Sequence, residues 1–218
     1  HRSRVEVTFS EPMIALGAAG DADPTNLPIR LTPAPSGRWR WEDTRTLAFE
    51  AVPRFPMATT YEVRIATGVR SERGSVLAVE RIAFFTTNPP ELEDHWPRSS
   101  STNLRPLLLA GFDQRIDPQV TLAAISIRVE GRTIAVVSEA VTERLNEPAV
   151  SQWIAGRTEG TWVAFAPAET LPAASRCEVV IPAGLPSLEG PLRTTRDQGF
   201  FFQTYGPLRV SPASCDVD

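Results

Sequence analysis

The chain repeats itself. The run Phe55-Pro56-Met57-Ala58-Thr59-Thr60-Tyr61-Glu62-Val63-Arg64-Ile65-Ala66-Thr67-Gly68 returns as Leu171-Pro172-Ala173-Ala174-Ser175-Arg176-Cys177-Glu178-Val179-Val180-Ile181-Pro182-Ala183-Gly184. Leu47-Ala48-Phe49 answers Val163-Ala164-Phe165, and Phe84-Phe85-Thr86-Thr87 answers Phe201-Phe202-Gln203-Thr204. Near the two starts, Thr8-Phe9-Ser10-Glu11-Pro12 faces Gly111-Phe112-Asp113-Gln114-Arg115. A unit of about a hundred residues is too long for a solenoid repeat and matches a domain. The 218 residues therefore hold two domains, each large enough to bury its own core.

Each copy is written in short alternating runs. Val5-Val7-Phe9, Leu47-Phe49, Tyr61-Val63-Ile65 and Ile82-Phe84 mark the first; Leu107-Leu109, Ile125-Ile127-Val129, Ile134-Val136, Val179-Ile181 and Phe200-Phe202 mark the second. Period-two alternation between clusters of Pro, Gly, Asp and Ser is the signature of strands and turns. The expected class is all-β: two tandem immunoglobulin-like antiparallel β-sandwiches, with a short helical insertion in the second. The expected division is a first domain over 1–88, a Pro/Ser-rich linker over 89–103 that Trp96 anchors, a second domain over 104–206, and a tail over 207–218. That tail opens on Pro207-Leu208-Arg209-Val210 like the first strand of a following segment, and the chain reads as a fragment of a longer protein. The insertion is expected as a helix over Ser138–Gly156, with Asn146 as N-cap, Pro148 in the first turn and Gly156 beyond the end. A shorter helical turn is expected after Asp117-Pro118, burying Leu122 and Ile125.

Reactive groups are few. The net charge of −4, with both signs interspersed, lacks the basic footprint of a nucleic-acid binder. No apolar run reaches the roughly 20 residues of a membrane span, so no direct membrane insertion is expected. Two cysteines make no disulfide framework. Cys177 shares strand parity with Val179 and points inward, so a bridge to Cys215 in the tail is not expected. His1 and His95 stand at no metal-ligand spacing and are expected to be solvated. No G-x-S-x-G elbow is present, and Ser75 and Ser99-Ser100-Ser101 read as turn serines. Glu11, Glu42, Asp43, Asp113 and Asp117 fall near strand ends, where paired glycosidase acids would sit, but capping and turn roles account for them. Asp21-Ala22-Asp23-Pro24-Thr25-Asn26 has the oxygen spacing of a calcium loop without its glycine and distal Glu, and reads as a turn. No cofactor is expected. Trp39 and Trp41 lie two apart on one strand face, either capping the core or offering a stacking platform for a sugar or a partner side chain. They are the candidate partner contact.

Phe9-Ser10-Glu11-Pro12-Met13, Trp39-Arg40-Trp41-Glu42-Asp43-Thr44-Arg45-Thr46-Leu47-Ala48-Phe49 and Arg54-Phe55-Pro56-Met57-Ala58-Thr59 resemble the amino-terminal region of large bacterial alpha-2-macroglobulins. Gly111-Phe112-Asp113-Gln114-Arg115-Ile116-Asp117-Pro118 resembles the domain that follows there. The resemblance runs to about Val210. It implies a periplasmic or envelope-anchored protease trap, in which a protease cuts a bait region and the molecule closes on it, often with a Cys–Gln thioester. The thioester motif C-x-E-Q is absent, since Cys177 precedes Glu178-Val179-Val180 and Cys215 precedes Asp216-Val217-Asp218. The expectation is therefore a non-catalytic structural part of such an inhibitor. Its partners would be other domains of the same parent chain and, through the full-length protein, target proteases. The inserted segment 138–156 is a further candidate for a protein contact. The alternative is an adhesin or S-layer-type module that binds a glycan or surface partner through Trp39 and Trp41.

Overall fold

The structure is a computed structural model and describes residues 3–98, 101–141 and 147–209. The chain divides into two compact units, 1–88 and 89–218. Both are built mainly from antiparallel strands, and no helix among the described residues is long and apolar enough to cross a membrane.

The first unit contains β1 (Arg4–Thr8), β2 (Gly20–Asp21), β3 (Arg30–Thr32), β4 (Gly37–Trp41), β5 (Thr46–Ala51), β6 (Thr60–Ile65) and β7 (Arg81–Thr86). They form two sheets, ordered β1-β5-β4-β2 and β3-β6-β7. Alternation along each strand turns one set of side chains inward. Trp41, Leu47 and Phe49 of one sheet meet Leu31, Tyr61 and Val63 of the other in a single core, with Val5, Val7 and Phe85 half-buried against it. The β4–β5 hairpin is tied by Asp43, whose carboxylate accepts from the backbone N–H groups of Arg45 (2.6 Å) and Thr46 (2.8 Å).

The second unit contains β8 (Leu92–Trp96), β9 (Ser101–Thr102), β10 (Leu108–Phe112), α1 (Pro118–Ala124), β11 (Ser126–Val129), β12 (Arg132–Ser138), α2 (Pro148–Ala155), β13 (Trp162–Pro167), β14 (Arg176–Ile181) and β15 (Gln198–Thr204). Instead of two separate sheets, one eight-stranded sheet, ordered β8-β10-β13-β12-β11-β14-β15-β9, curls into a half-barrel. The cause is β12. Its Arg132–Ala135 half pairs with β11, and its Val136–Ser138 half pairs with β13. One strand thus belongs to both walls. Leu108, Phe112 and Phe165 from one side and Ile127, Val179 and Phe202 from the other enclose one core.

Three expectations change here. The stretch 89–103 is not a free linker: β8 pairs with β10, and β9 pairs in parallel with β15. Its prolines and charges resemble a linker because β8 is an edge strand, where such residues discourage further pairing. The inserted helix is shorter than 138–156. Ser138 ends β12, and α2 runs over eight residues from Pro148 with Glu147 at the cap. Asn146 lies outside the described residues. His95 is half-buried rather than solvated, its ring stacked 4.1 Å from that of Phe200 and its Nδ1 2.9 Å from the Pro97 carbonyl oxygen.

The sequence repeat is a repeat of hydrogen bonds. Thr87 Oγ1 donates to the Pro56 carbonyl (2.9 Å) and accepts from Thr59 N–H (3.0 Å). Thr204 Oγ1 does the same with Pro172 (2.6 Å) and Ser175 (3.0 Å). Between these partners the chain turns through Ala58 and Ala174, both left-handed at φ 53° and 55°. Ala58 N–H then reaches the Asn88 carbonyl, and Ala174 N–H that of Tyr205. A second corner is copied as faithfully. Gly68 and Gly184 take φ 88° and 93°, which only glycine adopts without strain, and donate to Leu77 and Thr194. Glu72 N–H meets the Pro12 carbonyl as Leu188 N–H meets that of Arg115.

Candidate functional site

Residues that occur in both copies hold the fold, and the surfaces special to one copy lie where the copies differ. The largest such difference is α2. Pro148 stands in its first turn, where the missing N–H costs nothing, and Gly156 ends it. Val150, Trp153 and Ile154 follow helical spacing and lie on one face. They pack against Leu107, Leu109, Ala164 and half-buried Trp96 and Trp162. This second apolar cluster covers the outer side of β10 and β13.

Arg157 follows the helix and closes the cluster. Its guanidinium carbon lies 3.9 Å from the centre of the Trp153 ring, and its Nη2 donates to Asp94 Oδ2 at 2.7 Å. Arg98 donates to the same oxygen at 2.7 Å. The Arg157–Asp94 side chains are 14% and 21% exposed, the least exposed ion pair between described residues. Burial alone would push the Asp94 carboxyl up, but the hydrogen bonds from Arg98, His95 N–H and Arg157 outweigh it and hold the group below the usual range.

Gly111 makes room for this arrangement. A Cβ there would collide with Arg157 Nη1, lie 2.7 Å from its guanidinium carbon and 3.1 Å from the Trp153 ring. The first copy carries Thr8 at the equivalent position and, among the described residues, has no helix or second apolar cluster there. Two buried donors, Trp153 Nε1 and Arg157 Nε, have no partner among the described residues. Beside them a groove of about 630 Å³ is lined by Glu93, Trp96, Arg98 and Gln152 among others. Tryptophan and arginine at the centre, with charged residues around them, is the composition of energetic centres in protein interfaces. Sequence reasoning reached the insertion but not Asp94, Gly111, Trp153 or Arg157. The signal was available as Val150/Trp153/Ile154 spacing and as the Thr8-to-Gly111 difference between copies.

Trp41 is buried at 8% exposure, packed with Phe9 (ring centres 6.1 Å apart). Trp39 is half-buried against Phe49 (5.1 Å) and lines a groove of about 530 Å³ with Pro28, Pro35 and Arg64. The two do not form an open pair. Glu11 accepts from the Ser71 (2.6 Å) and Ser75 (3.0 Å) hydroxyls, which lower its pKa. Asp113 accepts from Glu91 N–H, Asp117 caps α1 through Gln119 and Val120 N–H, and Glu42 faces Arg4 and Arg40. Asp23 caps the short turn Pro24–Asn26 through Thr25. Each candidate acid is thus engaged in a local turn, cap or ion pair. Cys177 is fully buried, and burial followed by the nearby Glu130 charge raises its thiol pKa. His1, Ser99, Ser100 and Cys215 lie outside the described residues.

Compared with protein-family models and with curated proteins, the chain finds no match.

Proposed function

We propose that the chain is a non-catalytic pair of immunoglobulin-like modules in a bacterial alpha-2-macroglobulin-like protease inhibitor of the periplasm or cell envelope. The modules hold neighbouring domains of the parent chain in position, and the groove beside α2 receives one of them. The observation that carries this reading is the division of labour between copies. The shared polar residues (Thr87 and Thr204, Glu11 and Gln114) close corners, whereas the Asp94–Arg157–Trp153 cluster exists once.

The immunoglobulin-like assignment is supported by the first unit's partition. Its first, second, fourth and fifth strands share one sheet and its third, sixth and seventh the other, as in a seven-stranded constant-type sandwich. Strand order in the larger sheet departs from that pattern, because β1 pairs with β5. The family assignment is supported by the motif resemblance, whose most distinctive segments fall on the β4–β5 hairpin and on the turn from β10 into α1. The adhesin alternative would use the groove beside Trp39, without Trp41.

The test is protease challenge of the intact polypeptide that contains this chain. Retention or steric hindrance of the protease after cleavage is expected, and Gln152→Arg at the groove should weaken it without unfolding the second unit. An intact protein that neither retains nor hinders any protease overturns the family reading. Unchanged trapping in the variant overturns the role of the groove.

A further inference from the structure

The second unit shows what fills a seam that the first leaves open. In the second unit, β8 runs antiparallel to β10, directs His95 over Phe200 and packs Leu92 against the core, while β9 pairs with β15. Gln198 secures β8: its Oε1 accepts from Leu92 N–H at 2.6 Å, and its Nε2 donates to the Pro90 carbonyl at 2.9 Å. The repeat equates β10 with β1 and β15 with β7. Among the described residues, β1 pairs only with β5 and β7 only with β6.

The backbone of β1 is set for a further strand. Ser3 C=O and Phe9 N–H bond toward β5, so odd-numbered residues face that strand. In an antiparallel ladder the intervening residues turn their N–H and C=O the other way, which places those of Arg4, Glu6 and Thr8 on the open edge. The counterparts of Glu6 and Thr8 are Leu109 and Gly111, which stand opposite Trp96 and Asp94 of β8. Between β1 and β7 lies a groove of about 540 Å³, floored by Val5, Val7, Phe55, Val63 and Phe85. Ala83 stands where the second unit has Phe200, which leaves space for a side chain larger than His95 at that point. On β7, Ile82 and Phe84 are 44% and 66% exposed. Natural edge strands are usually blunted by charge, proline or cover; the β7 edge carries this exposed apolar pair, while the β1 edge carries Arg4 and Glu6, paired with each other at 2.6 Å.

We infer that the β1–β7 seam of the first unit is a strand-acceptor site. Its occupant is one extended polypeptide segment from outside these 218 residues, added antiparallel to β1. It places an aromatic or large aliphatic side chain over Ala83. Near Arg81, which replaces Gln198, it presents a carboxylate or carbonyl in place of the Leu92 N–H. Main-chain pairing supplies affinity and alternate side chains supply selectivity, as in other cases of strand addition. This inference rests on the repeat and not on the family reading.

The test is to titrate the 218-residue chain with a synthetic peptide of residues 89–98 carrying His95→Phe, followed by residue-resolved amide hydrogen exchange. Glu6 and Thr8 amides should gain protection, while Leu109 and Gly111, already paired, should not change. Thr8→Pro removes one edge donor and should weaken binding at least about tenfold, and Ala83→Phe, which recreates the Phe200 floor under His95, should shift the preference from the His95→Phe peptide to the unsubstituted one. Because Ala83 and Thr8 are exposed, the unfolding midpoint of each variant checks that the first unit is intact. Absence of protection at Glu6 and Thr8 up to millimolar peptide overturns the proposal. So does undiminished binding by Thr8→Pro, an unchanged peptide preference in Ala83→Phe, protection only at β10 through displacement of β8, or protection that grows with protein concentration alone and marks pairing between copies.

Discussion

Glu11 and Gln114 hold the same place in the two units: each accepts a serine hydroxyl, from Ser71 at 2.6 Å and Ser187 at 2.7 Å, and so pins the start of one corner to the opposite loop. One copy uses a carboxylate and the other an amide. Only the first is sensitive to acid.

The Ser71 hydroxyl, then that of Ser75, holds the folded Glu11 carboxyl below its ordinary value. Its contribution is therefore complete above about pH 4.3, the ordinary value in an unfolded chain, and is lost as pH falls through the lower folded value. Glu11→Gln keeps the acceptor and removes the titration. Denaturant melts from pH 7 to pH 3 should show wild type and variant converging toward acid, with the first unit accounting for the change. Parallel curves over the whole range would exclude the linkage.

Thr204→Val leaves Ser175 N–H without its side-chain acceptor and the Pro172 carbonyl without its donor, at a site 1% exposed. The expected loss is about 1–3 kcal/mol in urea melts. Thr87→Val breaks the same bonds at a half-buried site and should cost less, because water can replace part of what is lost. Equal costs would show that burial does not set the strength of this corner.

Ala174 is exposed at φ 55°, where a Cβ crowds the following carbonyl. Ala174→Gly should stabilise the second unit by up to about 1 kcal/mol. Ala58 has the same conformation at φ 53° but is fully buried, so Ala58→Gly also removes packing. Its net effect should lie near zero. Thermal unfolding of the two variants side by side separates strain from burial.

Gly111→Thr installs the first copy's residue under Arg157. The new side chain displaces the guanidinium from Asp94 and crowds Trp153, with an expected loss of about 1–3 kcal/mol. Tryptophan fluorescence should change as the cation leaves the ring. A variant with unaltered emission and stability would mean that Arg157 has another place to go.

The strands were legible because alternation is a local signal: Leu47-Phe49 and Val179-Ile181 are read correctly from parity alone. The corners were legible as a repeat but not as geometry, since nothing in Pro56-Met57-Ala58-Thr59 announces a left-handed alanine. The second unit's single sheet was hidden because β12 pairs with β11 through one half and β13 through the other, and pairing partners are not written in a strand's own pattern. The stretch 89–103 misled for a related reason: its strands are short and polar at the edges. Trp39 and Trp41 drew notice by rarity, whereas Arg157 and Asp94, 63 positions apart, share no local signal.

The divided strand β12 also explains where the second copy was free to grow. Deleting or adding one residue inside Arg132–Ser138 would turn Ile134 away from the core or put one of the two ladders out of step. Extra residues placed after Glu139, whose N–H still meets the Ala164 carbonyl, disturb neither. The segment that carries α2 enters at that point, between the last bond of β12 and the first of β13. A tract that tolerates no change in length thus ends at the position most open to new sequence, so the old fold could be kept while a new surface was acquired beside it.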